Sequence, residues 1–167
     1  MKKAQSIKIE NRSVLGQDAV NEICGGLKPL LADVFALYLK TKNFHWHMTG
    51  KDFRDYHLLL DEHAEQIFEM TDDIAERARK IGGTTLRSIG DIARHQRLKD
   101  SDTERLSLSE MLGELLSDNR QLTGALRSMH DTCEKYGDVA TTSMIENWID
   151  QSERRSWFLS EITTSEP

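Results

Sequence analysis

The stretch KTKNFHWHMTGKDFRDYHLLLDEHAEQIFEMTDDIAERARKIGG, residues 40–83, carries both the helical pattern and the chemistry of this 167-residue chain. Phe53, Leu60, Ile67, Ile74 and Ile81 recur at heptad spacing, which predicts a long helix with one buried face. Asp52 stands at its N-cap and Asp55 in its first turn, where carboxylates complement the helix dipole. Gly82-Gly83 ends it. On a wheel at about 100° per residue with His57 as origin, Asp61 falls near 40°, Asp72 near 60°, Glu65 near 80° and Glu76 near 100°. The apolar row falls at about 260–320° on the same wheel. A polar stripe therefore runs beside the core-facing stripe, bordering the core rather than entering it.

Two i,i+4 pairs lie on that polar stripe, His57/Asp61 and Asp72/Glu76. Residues four apart stack on one helix face, so each pair offers two ligand groups to one ion. The pair centres are about 15 residues apart, roughly 22 Å along the axis, too far for one ion to bridge. Packing the helix antiparallel against a second copy brings the ends together, His57 and Asp61 of one chain meeting Asp72 and Glu76 of the other. Two-fold symmetry then creates the site twice. Leu58 and Phe68 share the face, at about 100° and 20°, and would pack against the partner. His45 continues the apolar stripe of the preceding helix and is expected on the interior side of the site.

Imidazole and carboxylate together suit Fe(II), Mn(II) or Zn(II) better than Ca(II), and the absence of cysteine from this set disfavours a zinc-thiolate centre. A carboxylate-rich site with open positions suits Fe(II) oxidation. No histidine has a glutamate three residues before it, so the Glu-x-x-His element of di-iron sites built inside one bundle is missing. The competing reading of acidic i,i+4 pairs is a solvated helix face. His47, His63, His95 and His130 lack an equivalent partner arrangement and read as surface or core histidines. Trp46 reads as a core anchor, and Cys24 and Cys133 as buried hydrophobes.

Outward from this stretch, Leu31, Val34, Phe35 and Tyr38 recur at helical spacing. They predict a first helix that starts after Gly25-Gly26, near Pro29, and runs to about Met48, stopping at Gly50. Residues 84–106 form a long connection in which SIGDIARH, 88–95, supports a short helix. The third long helix opens with a capping box, Ser107-x-x-Glu110. Its stripe is Leu108, Met111, Leu112, Leu115, Leu122, Leu126 and Met129, and Gly137 follows its end. A fourth runs from about Asp138 to Thr163 with Ile145, Trp148, Ile149 and Phe158 on its stripe. No strand is predicted. Four long helices with one long connection, between the second and third, make an all-α, ferritin-like four-helix bundle with a short extra helix in that connection. The bundle domain is expected over 17–167, preceded by a mobile tail over 1–16.

Composition supports this and narrows the function. Charged residues make up 30% and hydrophobic residues 38%, with two prolines, as suits amphipathic helices in one domain. No apolar run approaches the ~18 residues of a membrane span. The lysine-bearing N-terminus has no apolar region of a secretory signal, and two cysteines make no disulfide framework, so the cytoplasm is the expected compartment. The net charge is −6, but Lys2, Lys3, Lys8 and Arg12 against Glu10 give the tail +3 and leave −9 on the body. An acidic body favours cations over nucleic acid.

Residues 40–83 resemble the core pattern of the Dps family, the DNA-binding proteins from starved cells or miniferritins. The matching elements are His-Trp, then Gly and an aromatic, His-x3-Asp, and Asp-x3-Glu-Arg before Gly-Gly. From His45, the positions His57, Asp61, Asp72 and Glu76 lie 12, 16, 27 and 31 residues on, matching the family spacing. The resemblance covers about residues 18–163. It implies a hollow homo-dodecamer that oxidises Fe(II), typically with hydrogen peroxide, stores ferric mineral and protects the cell under oxidative stress. It also implies ferroxidase ligands at the two-fold interface: His45, His57 and Asp61 from one chain, Asp72 and Glu76 from its partner. Trp46 matches the family tryptophan beside the centre, and His47 has no assigned role. Family pores on the three-fold axes are acidic, which makes Asp131, Glu134 and Asp138 the candidates. DNA binding does not follow from the family name. A DNA-compacting architectural protein of the same fold is the alternative, resting on a modest basic tail that twelve-fold repetition would strengthen. A plain helical bundle without metal is the third reading.

Overall fold

The computed structural model describes residues 14–164, which form five helices and, among these residues, no strand. They are α1 (Gln17–His47), α2 (Phe53–Lys80), α3 (Ile89–His95), α4 (Leu108–Lys135) and α5 (Val139–Thr164). Helix α1 packs on α2, α4 on α5, α1 on α4 and α2 on α5. The four long helices thus form a ring around one core, and α3 lies against α1. Most of the expected tail, and residues 165–167, lie outside the described residues.

The apolar stripes meet as expected. Leu60, Ile67, Ile74 and Ile81 of the α2 row are buried with Leu31 and Val34, Leu115, Leu122 and Leu126, and Ile145 and Trp148. Phe53, the first member of the row, is 42% exposed instead and stacks on His57 rather than entering the core. Ser107 caps α4 with the reciprocal hydrogen bonds of a capping box: its Oγ accepts from Glu110 N at 3.2 Å, and its N donates to the Glu110 carboxylate at 2.7 Å. Gly82 and Gly137 adopt positive φ, 95° and 68°, at the ends of α2 and α4, where an L-residue would be strained.

Helix α1 begins ten residues before the expected start, at Gln17, and runs through Gly25, Gly26 and Pro29. Propensity argues against this, at about 1 kcal/mol per glycine and ~3 for proline. Burial of Ala19, Val20, Ile23 and Leu27 outweighs it. Gly26 also serves close helix packing, since a Cβ there would collide with the Met129 thioether of α4.

The long connection is held to α1 by one buried carboxylate. Asp33 accepts from the Arg97 and Leu98 backbone amides and pairs with the Arg97 guanidinium at 2.6 Å. Between the helices, Lys40 is buried and pairs with Asp118 at 2.7 Å. Arg155 is fully buried, its Nε donating to Asn119 Oδ1 at 2.9 Å. Burial lowers its pKa to about 10. Asp138 is also buried, at the head of α5, where it pairs with Arg77 and accepts from Thr141 N. It is therefore a helix-capping residue committed to Arg77, which removes it from the acidic pore candidates.

Candidate metal centre

The end of α1 and the start of α2 are brought face to face by the turn at 48–52, in which Gly50 takes φ 133°. Across this turn His45 and His57 hold one another. His45 Nδ1 lies 2.7 Å from the His57 carbonyl oxygen, and His57 Nδ1 lies 3.0 Å from the His45 carbonyl oxygen. A carbonyl only accepts, so both Nδ1 atoms carry hydrogen and donate. In the neutral rings both Nε2 atoms then present lone pairs, the tautomer a metal ion requires. The rings stack at 3.7 Å with planes 19° apart, and Phe53 stacks on the outer side of His57 at 4.9 Å.

Asp61, one turn along α2 from His57, lies beside His45, its Oδ1 3.8 Å from His45 Nε2. The same oxygen accepts from Lys42 Nζ at 2.6 Å. That bond holds the Asp61 carboxyl below the usual aspartate range; desolvation opposes it, and the charges of Lys42, His45 and His57 add to it. His45 is buried, His57 half-buried, and the Asp61 side chain 41% exposed. Within one chain, His45 thus meets Asp61 and stacks on His57, but the ligand atoms of the three do not all fall within 4.8 Å of one another.

Asp72 and Glu76 are not brought to them. Both are exposed near the other end of α2, and the straight helix keeps them about 22 Å away. Glu76 pairs with Lys80 at 2.8 Å, and this hydrogen bond lowers its pKa. Between the two ends, Leu58 and Phe68 are each 49% exposed on the same face, Phe68 resting against the Tyr38 ring of α1 at 4.9 Å.

The remaining expectations divide. Cys24 and Cys133 are buried, free thiols, and burial pushes the Cys133 thiol up to about 12. Trp46 is not a core anchor: it is 57% exposed, because its neighbours Phe44 and His45 take the inward positions of α1. His47 is exposed and its Nδ1 donates to Asn43 O. His63 is a core histidine, and burial, followed by Arg155 and Arg154, pushes its pKa down to about 4. His130 does have partners, contrary to expectation: it lies with Asp131 and Glu134, their ligand atoms all within 4.8 Å of one another. The His130-x3-Glu134 spacing is the same i,i+4 signal that singled out His57 and Asp61, placed on a different helix.

The chain matches the ferritin-like domain family over residues 25–165. A DNA protection during starvation protein from Helicobacter pylori (strain J99) is 29% identical over 133 residues, covering 80% of this chain and 92% of that one. A low temperature-induced protein of Nostoc sp. (strain PCC 7120) is 32% identical over 138 residues, 82% of this chain and 77% of its own. Among solved structures, DpsC from Streptomyces coelicolor superposes with a TM-score of 0.88 at 27% identity, covering 92% and 90% of the two chains. An archaeal Dps homologue from Halobacterium salinarum gives 0.89 at 24% identity, covering 100% and 95%, a likeness of fold.

Proposed function

We propose that this chain, which belongs to the Dps family of ferritin-like proteins, is a ferroxidase and iron-storage protein assembled as a hollow homo-dodecamer. It takes up Fe(II), oxidises it with hydrogen peroxide at sites on the two-fold interfaces, and keeps the ferric product as mineral inside the shell. The observation that carries this reading is the reciprocal His45–His57 lock, which leaves both Nε2 atoms free to bind metal, with Asp61 beside His45 Nε2. Asp72 and Glu76 of a second chain complete the set when two α2 helices pack antiparallel over the exposed Leu58 and Phe68. The axis would cross α2 near Gln66, midway between the two pairs.

The chemistry follows from the ligand set. Iron is the substrate. Three carboxylates offset its charge and favour the Fe(III) product, while the two imidazoles bind Fe(II) without adding charge. Hydrogen peroxide accepts two electrons as its O–O bond breaks, giving two hydroxides. Two Fe(II) ions supply one electron each, so no hydroxyl radical is released. The acidic body draws cations toward the shell.

A complementation experiment tests the interface and the ligands together. One variant carries His57→Ala with Asp61→Asn, the other Asp72→Asn with Glu76→Gln. Each alone is expected to lose peroxide-driven Fe(II) oxidation. In a co-assembled equal mixture, half of the dimers are mixed and each has one wild-type site, restoring about a quarter of the activity. No recovery, in particles shown to be mixed, refutes the shared site. Unaltered oxidation in the single variants refutes the ligand assignment. The alternative, a DNA-compacting protein, rests on Lys2, Lys3, Lys8 and Arg12 in the N-terminal segment. A gel shift that persists at physiological salt, with oxidation absent, supports that reading instead.

A further inference from the structure

We propose that His130, Asp131 and Glu134 form a second divalent-metal site, oriented by Glu146, that is complete within one chain and does not depend on the two-fold centre. Of the six histidines, four (His45, His47, His57 and His95) turn Nδ1 to a backbone carbonyl, and His63 is buried in the core. His130 is different, because both of its nitrogens face carboxylates. Nε2 lies 3.3 Å from Glu146 Oε1 of α5, and Nδ1 lies 3.8 Å from Glu134 Oε2, one turn along α4.

This arrangement assigns roles. The Nε2 hydrogen is donated to Glu146, which fixes the tautomer and leaves the Nδ1 lone pair aimed toward Glu134. A carboxylate holding a histidine whose other nitrogen binds metal is a recurrent arrangement at metal centres. The three ligand atoms lie within 4.8 Å of one another. Metal–ligand bonds of about 2.0–2.2 Å in a tetrahedral site need separations of roughly 3.3–3.6 Å. The gap closes by rotamer adjustment, since Asp131 and Glu134 are exposed and the Glu134 side chain is 63% accessible.

Charge points the same way. Asp131, Glu134 and Glu146 are three acids around one imidazole, and among the described residues no lysine or arginine pairs with them. The basic residues of α4 on either side are committed elsewhere, Arg127 to Glu153 and Lys135 to Glu22. A divalent ion supplies the missing positive charge. The mixed imidazole–carboxylate set selects a first-row transition ion over Ca(II) or Mg(II). All three ligands stand on α4, within about two turns of Gly137, and Glu146 reaches His130 from α5. The site differs from a symmetric pore in needing no other copy of the chain.

Zn(II) is the probe. Equilibrium binding to the assembled protein is expected to show one more Zn(II) per chain in wild type than in His130→Gln or in Glu134→Gln. The His57→Ala/Asp61→Asn variant keeps that increment, which separates this site from the proposed ferroxidase centre. Glu146→Gln is expected to weaken it by about 10- to 100-fold. Zinc-edge anomalous diffraction should place a peak within about 2.0–2.2 Å of His130 Nδ1. Equal Zn(II) counts in wild type, His130→Gln and Glu134→Gln, or an anomalous map without that peak, overturns the proposal. Glu134→Gln guards against misfolding, because it changes an exposed side chain without altering its shape.

Discussion

Lys42 occupies the place of a cation at Asp61, and its removal should tighten metal binding. Its ammonium lies 2.6 Å from Asp61 Oδ1, the oxygen nearest His45 Nε2. An ion using that oxygen must displace the ammonium and then tolerate it nearby. The pair itself is partly exposed and screened, so breaking it costs no more than about 1 kcal/mol. A unit charge about 5 Å from a divalent ion adds roughly 1.7 kcal/mol of repulsion in a water-like dielectric, reduced to about 1 by physiological salt. Together these give about 1–2 kcal/mol, or roughly a 5- to 30-fold gain in affinity for Lys42→Gln. Asp61 stays ionised at neutral pH without Lys42, so protonation does not erase the gain. The assay is calorimetric titration of Fe(II) under anaerobic conditions, or of Zn(II), with Lys42→Arg as the control that keeps the charge. Unchanged or weaker binding in Lys42→Gln would refute the reasoning, since Asp61 would then not be a ligand.

Stability should fall between pH 6.5 and pH 4, because the unfolded chain takes up a proton on His63 that the folded chain refuses. The folded pKa of about 4 against 6.5 is worth about 3 kcal/mol across that window, with full stability above it; His63→Phe should flatten this part of a denaturation–pH profile. Leu60→Ala opens a cavity at the centre of the ring of helices and should cost about 2–5 kcal/mol in urea unfolding. Ser107→Ala removes the α4 cap and should cost about 0.5–2 kcal/mol by the same measurement, with faster amide exchange confined to the first turn of α4.

Legibility in the sequence followed the range of the interaction. Periodicity and caps are local, so the α2 row, the Ser107–Glu110 box and the glycine ends of α2 and α4 were readable residue by residue. The His57/Asp61 pair was readable for the same reason, and the stripe of helix one was enough to bring His45 to it. The start of α1 was not, because Gly25 and Gly26 break helices locally while burial of Ala19, Val20, Ile23 and Leu27 against the other helices carries the helix through them. Asp138, a pore candidate by sequence, is committed instead to Arg77 of α2. Glu146 completes the His130 cluster from another helix, and Lys42 reaches Asp61 only through the relative rotation of α1 and α2. Such cross-helix pairings leave no spacing signal along the chain.

The hold between His45 and His57 runs mainly through the backbone. Each ring donates to the other residue's main-chain oxygen, which an alanine replacement leaves in place, and touches the face of the other ring, which the replacement removes. A single alanine replacement therefore deletes one imidazole and one stacking contact while the surviving ring stays anchored through its Nδ1. A double-mutant cycle on metal binding should return a coupling clearly smaller than either single loss. A coupling as large as either loss would mean that the ring face, and not the main chain, sets the orientation. Anchored in this way, the corner can lose or exchange one imidazole at a time without disorienting the other.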